Sequence, residues 1–127
     1  MSLELAKVAA EAAKSKKSSR VVYLDLRGKS DICDYQLICS GETDRQTRAI
    51  CDAIEAACKE KMNIKPASIE GRGSGHWILL DFGSLLVHVF MNQLRDFYAL
   101  ESLWPGAVLE VKDQGDSEDS DEAPLNI

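Results

Sequence analysis

The sequence is poor in the residues that build metal and redox centres. Its four cysteines, Cys33, Cys39, Cys51 and Cys58, include no C-x-x-C pair, and only two histidines, His76 and His88, accompany them. That supply and that spacing argue against a zinc site. Cys51 and Cys58 fall seven apart on a predicted helix, about 10 Å along its axis and too far for a disulfide between them. Buried free thiols are the expectation. Long apolar runs are missing as well, since none approaches the ~20 residues that span a bilayer. The opening MSLELAKVAAEAAK has no apolar stretch of signal-peptide kind. Its Glu4 and Glu11, with Lys rather than Arg, do not suit a mitochondrial transit peptide. A cytoplasmic protein is expected.

Catalytic patterns are equally scarce. Gly71-Arg72-Gly73-Ser74-Gly75 could cradle a phosphate through its backbone amides. It lacks the Walker spacing and the following Lys-Ser/Thr, and a strand rather than a helix is predicted next, so the helix-dipole advantage is lost. A flexible loop is the simpler reading. Two-metal chemistry needs carboxylates brought together, commonly as D-x-D on one strand face. Asp25 and Asp81 each stand alone on a predicted strand, and Asp31-x-x-Asp34 falls in a loop. No acid–base pair, metal site or cofactor is implied.

Charge is distributed unevenly. The formal net charge is −6, from 21 acidic and 15 basic residues. Six of the acids lie in DQGDSEDSDEAPLNI, from Asp113 to the end, which contains no Lys or Arg. Residues 1–112 are therefore neutral, and 113–127 form an acidic tail with too little to bury to be ordered. No basic stripe of nucleic-acid-binding kind occurs. Lys14, Lys16, Lys17 and Arg20 read as the solvated end of a helix, where cations are favoured, in preference to a phosphate contact. With 45% hydrophobic and 28% charged residues, the composition is that of an ordinary globular domain, and the length suits one domain over 1–112.

What the chain does have is clear periodicity. Residues 3–17 place Leu3, Ala6, Ala10 and Ala13 in line, as in a short amphipathic helix. Val21–Leu26 alternates Val22, Leu24 and Leu26 against Val21, Tyr23 and Asp25, and Tyr35–Ser40 is a second strand. The roughly eight residues between them are too few for a helical crossover, which predicts an antiparallel pair. Thr43-Asp44-Arg45-Gln46 has capping-box spacing for a helix to about Met62, with a stripe of Ile50, Ala53, Ile54, Ala57 and Cys58. Pro66 stops it. A short edge strand over Ala67–Glu70, a helix over 93–104 closed by Pro105-Gly106, and a last strand in AVLEV complete the pattern. The fold class is α/β, a mixed sheet of about five strands flanked by helices.

The most informative stretch is HWILLDFGSLLVHVFM, His76–Met91. Two apolar runs flank Gly83-Ser84, and a two-residue loop with Gly first suits a primed hairpin turn. That loop pairs Phe82 with Leu85, Leu80 with Val87 and Ile78 with Val89 on one dry face. The other face sets Trp77 across from Phe90, Leu79 from His88 and Asp81 from Leu86. His88 and Asp81 are diagonal neighbours without a nucleophile beside them, so His88 reads as a structural residue or a partner contact before a catalyst. Six of the eight aromatics lie between residues 77 and 104. They serve either as core or as an interface group, and Arg95 and Tyr98, three apart, could flank the latter.

Asp34-Tyr35, Ile38-Cys39-Ser40-Gly41, Gln46, Ala49-Ile50, Glu70-Gly71, Trp77–Gly83, Val87–Phe90, Arg95–Tyr98 and Leu100-Glu101-x-Leu103-Trp104 together resemble the ribosomal silencing factor, or Iojap-like, family. The resemblance covers residues 3 to about 109. It implies a nucleotidyltransferase-like fold without catalytic carboxylates, in a non-enzymatic cytoplasmic factor. Such a factor docks on the large ribosomal subunit at ribosomal protein fourteen, blocks small-subunit joining and lowers translation under nutrient limitation. The partner-binding residues would be Trp77, Leu79, Asp81, His88, Phe90, Arg95 and Tyr98. The alternatives are a cryptic nucleotide-binding enzyme on the same fold and a homodimeric structural module that sets the same apolar face against itself, with edge-strand pairing allowing a weak dimer in isolation. Two departures stand out: Gln36 where the family often has an aromatic, of small consequence if it faces outward, and Ser84 where an acid usually follows the hairpin glycine. The acidic tail is not part of the shared motifs.

Overall fold

Alternation along each strand gives the sheet two unlike faces, and that division organises everything else. The computed structural model describes residues 2–93 and 108–110. In chain order they form helix α1 (Ser2–Ser15), strands β1 (Ser19–Asp25) and β2 (Tyr35–Gly41), helix α2 (Asp44–Met62), and strands β3 (Ser68–Glu70), β4 (Trp77–Asp81), β5 (Leu85–Met91) and β6 (Val108–Glu110). The expected helix over 93–104 falls almost wholly outside the described residues, as does the acidic segment from residue 113.

The sheet is mixed, with order β3-β4-β5-β2-β1-β6. It has six strands rather than about five, because the AVLEV segment pairs with β1 through Leu24–Val108 and Val22–Glu110. β1 and β2 are antiparallel, as their short connection requires. β2 and β5 are parallel neighbours at the centre, from Tyr35–Leu85 to Gly41–Met91. Joining them needs a crossover, and α2 supplies it. The hairpin has the register that its turn dictates, with Ile78 opposite Val89 and Leu80 opposite Val87. Gly83 has φ 89°, a conformation cheap only for glycine, while Ser84 stays at negative φ.

Both described helices lie on one face. Leu5, Ala6, Ala9, Ala10 and Ala13 of α1, with Ile50, Cys51, Ile54 and Cys58 of α2, pack on Val21, Tyr23, Leu37, Cys39, Ile78, Leu80, Leu85, Val87 and Val89. Each fully buried aliphatic side chain here contributes about 1.5–3 kcal/mol. α1 ends in a Schellman motif, with Ser18 N–H on the Ala13 carbonyl and Lys17 N–H on that of Lys14. Lys17 takes the left-handed position, φ 64°. α2 starts at Thr43, whose hydroxyl accepts from Gln46 N–H. The Gln46 side chain accepts from Glu42 N–H and donates to the Lys16 and Lys17 carbonyls, so one amide joins the end of α1 to the start of α2.

The glycine-rich segment is not the free loop that its composition suggests. Arg72 makes a two-pronged ion pair with Asp52 of α2, at 2.9 and 2.6 Å. Arg48 donates to the Gly73 carbonyl and Thr47 to that of Gly75. These partners lie 20 or more residues away in sequence, beyond the reach of a local reading. The segment is clamped along α2 and delivers the chain to β4 in a fixed direction.

Candidate docking face

The other face of the sheet carries Ser68-Asp81-Leu86-Gln36-Leu24 in one row and Glu70-Leu79-His88-Ile38-Val22 in the next, with Trp77 opposite Phe90 beyond. Val22, Leu24, Leu26, Cys33, Ile38 and Phe90 form a second buried cluster, with Trp77 and Leu86 packed against it. No residue of α1 or α2 belongs to that cluster. Exposure changes across the face. His88 and Phe90 on β5 are 6% and 1% exposed, whereas Trp77, Leu79 and Asp81 on β4 are half-buried. Ser68 and Glu70, on the short edge strand β3, are exposed.

Aromatic geometry holds the strip together. The rings of Trp77 and Phe90 have centroids 4.9 Å apart and tilted, and His88 stacks near-parallel to Phe90 at 6.2 Å. The Trp77 indole N–H donates to Nδ1 of His88 at 3.1 Å. Since Nδ1 accepts, the neutral ring carries its proton on Nε2, which faces Oε1 of Gln36 at 3.0 Å. The Gln36 amide in turn donates to the sulfur of Cys33 at 3.9 Å. Burial pulls the His88 pKa down from 6.5 to about 4, because a charged imidazole there would lose its hydration.

Gln36 therefore faces inward and is buried; the outward orientation that would have made this departure inconsequential does not hold. Its place in an apolar row between Leu24 and Leu86 leaves His88 as its strong partner. Nothing in the strand's alternation could reveal this, because polar and apolar residues share the same face. Asp81 accepts from the Gly83 N–H at 2.8 Å, fixing the turn beside its half-buried side chain. Backbone and Asp81 thus make the turn's polar contacts, with Ser84 contributing its carbonyl to Asp34 and Tyr35 N–H. Arg95 and Tyr98 lie outside the described residues.

The chemistry available is correspondingly quiet. Both nitrogens of His88 are occupied by Trp77 and Gln36, so it forms no dyad with Asp81. The cysteines are free and buried, and desolvation pushes the thiols of Cys51 and Cys58 up to about 11, far from thiolate reactivity. Asp25 is engaged by Arg27, which also sits over the Tyr35 ring. Among the described residues no group of three or more His, Cys, Asp or Glu could hold a metal ion. No described helix is long and apolar enough to cross a membrane.

The described residues form an α/β domain with both described helices on one side of a mixed sheet and, on the other, an aromatic strip whose Trp77 is half-buried over the buried His88 and Phe90. The chain belongs to the ribosomal silencing factor family: the family model described as "Ribosomal silencing factor during starvation" matches residues 1–126. That match runs past residue 109, where the resemblance read from the motifs ends, and into the acidic segment. Among relatives, the ribosomal silencing factor of Bacillus subtilis is 38% identical over 109 residues, covering 86% of this chain and 92% of that protein. A crystal structure of a Chromobacterium violaceum protein superposes with a TM-score of 0.78 at 31% identity, covering 82% of this chain and 86% of the other. A mouse protein named for mitochondrial assembly of the ribosomal large subunit is 34% identical over 73 residues, 56% of this chain and 32% of its own length.

Proposed function

We propose that this protein is a non-enzymatic translation repressor of the cytoplasm that docks on the large ribosomal subunit at ribosomal protein fourteen. Its bulk then occupies space that the small subunit needs, and translation falls when nutrients are short. The contact is made by Trp77, Leu79 and Asp81, over a floor of His88 and Phe90, and Arg95 and Tyr98 take part in it. One observation carries this reading: a strip of tryptophan and leucine on the sheet face that neither α1 nor α2 covers, in a chain of the silencing-factor family. Membership supports the ribosome as target, and the mouse relative's name speaks of the large subunit. A standard interface takes about 800 Å² from each partner, which one sheet face and a neighbouring element can supply. No step in this mechanism calls for nucleotide hydrolysis.

Co-sedimentation with purified ribosomal subunits, followed by a subunit-joining assay, tests the reading. The protein should travel with the large subunit alone and suppress formation of the joined ribosome. Trp77→Ala should weaken binding by more than about 1–2 kcal/mol, as truncation of an interface anchor does, while the domain stays folded. Sedimentation with neither subunit, or a Trp77→Ala protein that binds as the parent does, overturns it.

A further inference from the structure

We propose that Gln36 is a positioning residue for the docking face, holding the indole of Trp77 through the imidazole of His88. The inference rests on the docking reading and extends it to a residue two strands away. Three hydrogen bonds run diagonally across β2, β5 and β4 in a single direction: Gln36 to Cys33, His88 to Gln36, Trp77 to His88. An indole has one donor and no acceptor, so only an unprotonated Nδ1 satisfies it. A neutral imidazole has two tautomers, and by itself it would divide between them. The obligate Trp77 donor and the Gln36 carbonyl oxygen together favour the one with hydrogen on Nε2, and the Gln36 contact then holds the ring with Nδ1 turned to Trp77.

The surroundings leave Gln36 little other use. Its cross-strand neighbours are Leu24 and Leu86, and an unbonded amide between two leucines would carry its full desolvation penalty. Every buried side-chain nitrogen and oxygen among the described residues has a hydrogen-bond partner, and the Gln36 amide finds its partners in His88 and Cys33. His88 is also held by stacking on Phe90. The imidazole thus transmits orientation from a buried amide to a half-exposed indole. An interface anchor that is already fixed in its bound orientation loses less side-chain freedom on docking.

The test is a double-mutant cycle in the full chain, read as affinity for purified large ribosomal subunits, using Gln36→Met and Trp77→Ala. Methionine keeps length and approximate volume but offers no strong acceptor. Gln36→Met should weaken binding by about tenfold, the equivalent of one net hydrogen bond, and should cost nothing further in the Trp77→Ala background. An equal loss in both backgrounds, or none in either while Trp77→Ala still weakens binding, overturns the positioning role and leaves the docking reading standing. A Trp77→Ala protein that binds normally overturns both. The ring nitrogens of His88 in the unsubstituted protein, followed by long-range proton–nitrogen NMR, give a readout that needs no variant. The Nε2–H tautomer is expected, and the Nδ1–H tautomer would end the proposal.

Discussion

His88 has the sharpest individual consequence, because a histidine kept neutral by burial ties stability to pH. Its folded pKa, about 4, lies below the ordinary 6.5. Between those values the unfolded chain binds a proton that the folded protein refuses, so stability is whole above pH 6.5 and falls as pH drops toward 4. At 6% exposure there is little solvent to soften this. The loss should be about 2 kcal/mol between pH 7.5 and pH 5, near 1.4 kcal/mol per pH unit through the middle of the window. Denaturant unfolding at a series of pH values measures the slope, and NMR titration of the His88 ring assigns it. A ring that titrates near 6.5 in the folded protein would remove the account. The pairing of His88 with Leu79, and of Trp77 with Phe90, was legible from the turn alone. The inward amide of Gln36 was not, since it depends on β2 lying beside β5, a contact about 50 residues apart in sequence.

At the level of elements, what was legible was what is local. The capping residues of α2, its apolar stripe and the hairpin register each follow from spacings of a few residues, and each stands where those spacings place it. Burial of Cys51 agrees with the expectation of buried free thiols, whereas that of Thr47 does not follow from the stripe; its hydroxyl faces the glycine segment once α2 is seated. The glycine segment itself shows why composition misleads. Two of its three glycines, Gly71 and Gly75, serve close approach to neighbouring residues. Gly71 has φ +83°, and a Cβ there would lie 2.1 Å from the Trp77 carbonyl oxygen. Gly73, two residues on, has open space around its would-be Cβ and no positive φ. Gly71→Ala should therefore destabilise the domain by about 2–4 kcal/mol, through strain and displacement of the β4 entry, whereas Gly73→Ala should stay within about 0.5 kcal/mol of the parent. Thermal or denaturant unfolding of the two variants compares them directly. Equal tolerance at both positions would mean that the segment is free to move, and the clamp through Arg72 and Asp52 would lose its meaning.

For the molecule as a whole, the sorting of charge matters as much as the sorting of apolar faces. Residues 1–112 balance, and the excess of −6 comes from the last fifteen residues. On the proposed docking, a protein bound to the ribosome meets a dense field of RNA phosphates, and non-specific attraction to them would compete with a contact made by one sheet face. A concentrated negative segment raises the energy of such misplaced encounters while leaving an aromatic contact untouched. Replacing the six acids of residues 113–127 by Asn and Gln keeps the length and removes only the charge. The neutral variant should be retained on a non-ribosomal duplex RNA several-fold more than the parent at about 20 mM salt. The two should converge by about 0.3 M, where screening confines such repulsion to a few ångströms. If docking runs through Trp77 and its neighbours as proposed, its affinity for the large subunit should change far less than its retention on bare RNA. Filter binding across a salt series supplies both numbers. Equal RNA retention at low salt would show that the acidic segment does not repel phosphate, and selectivity would then have to come from the shape and chemistry of the β4–β5 face alone.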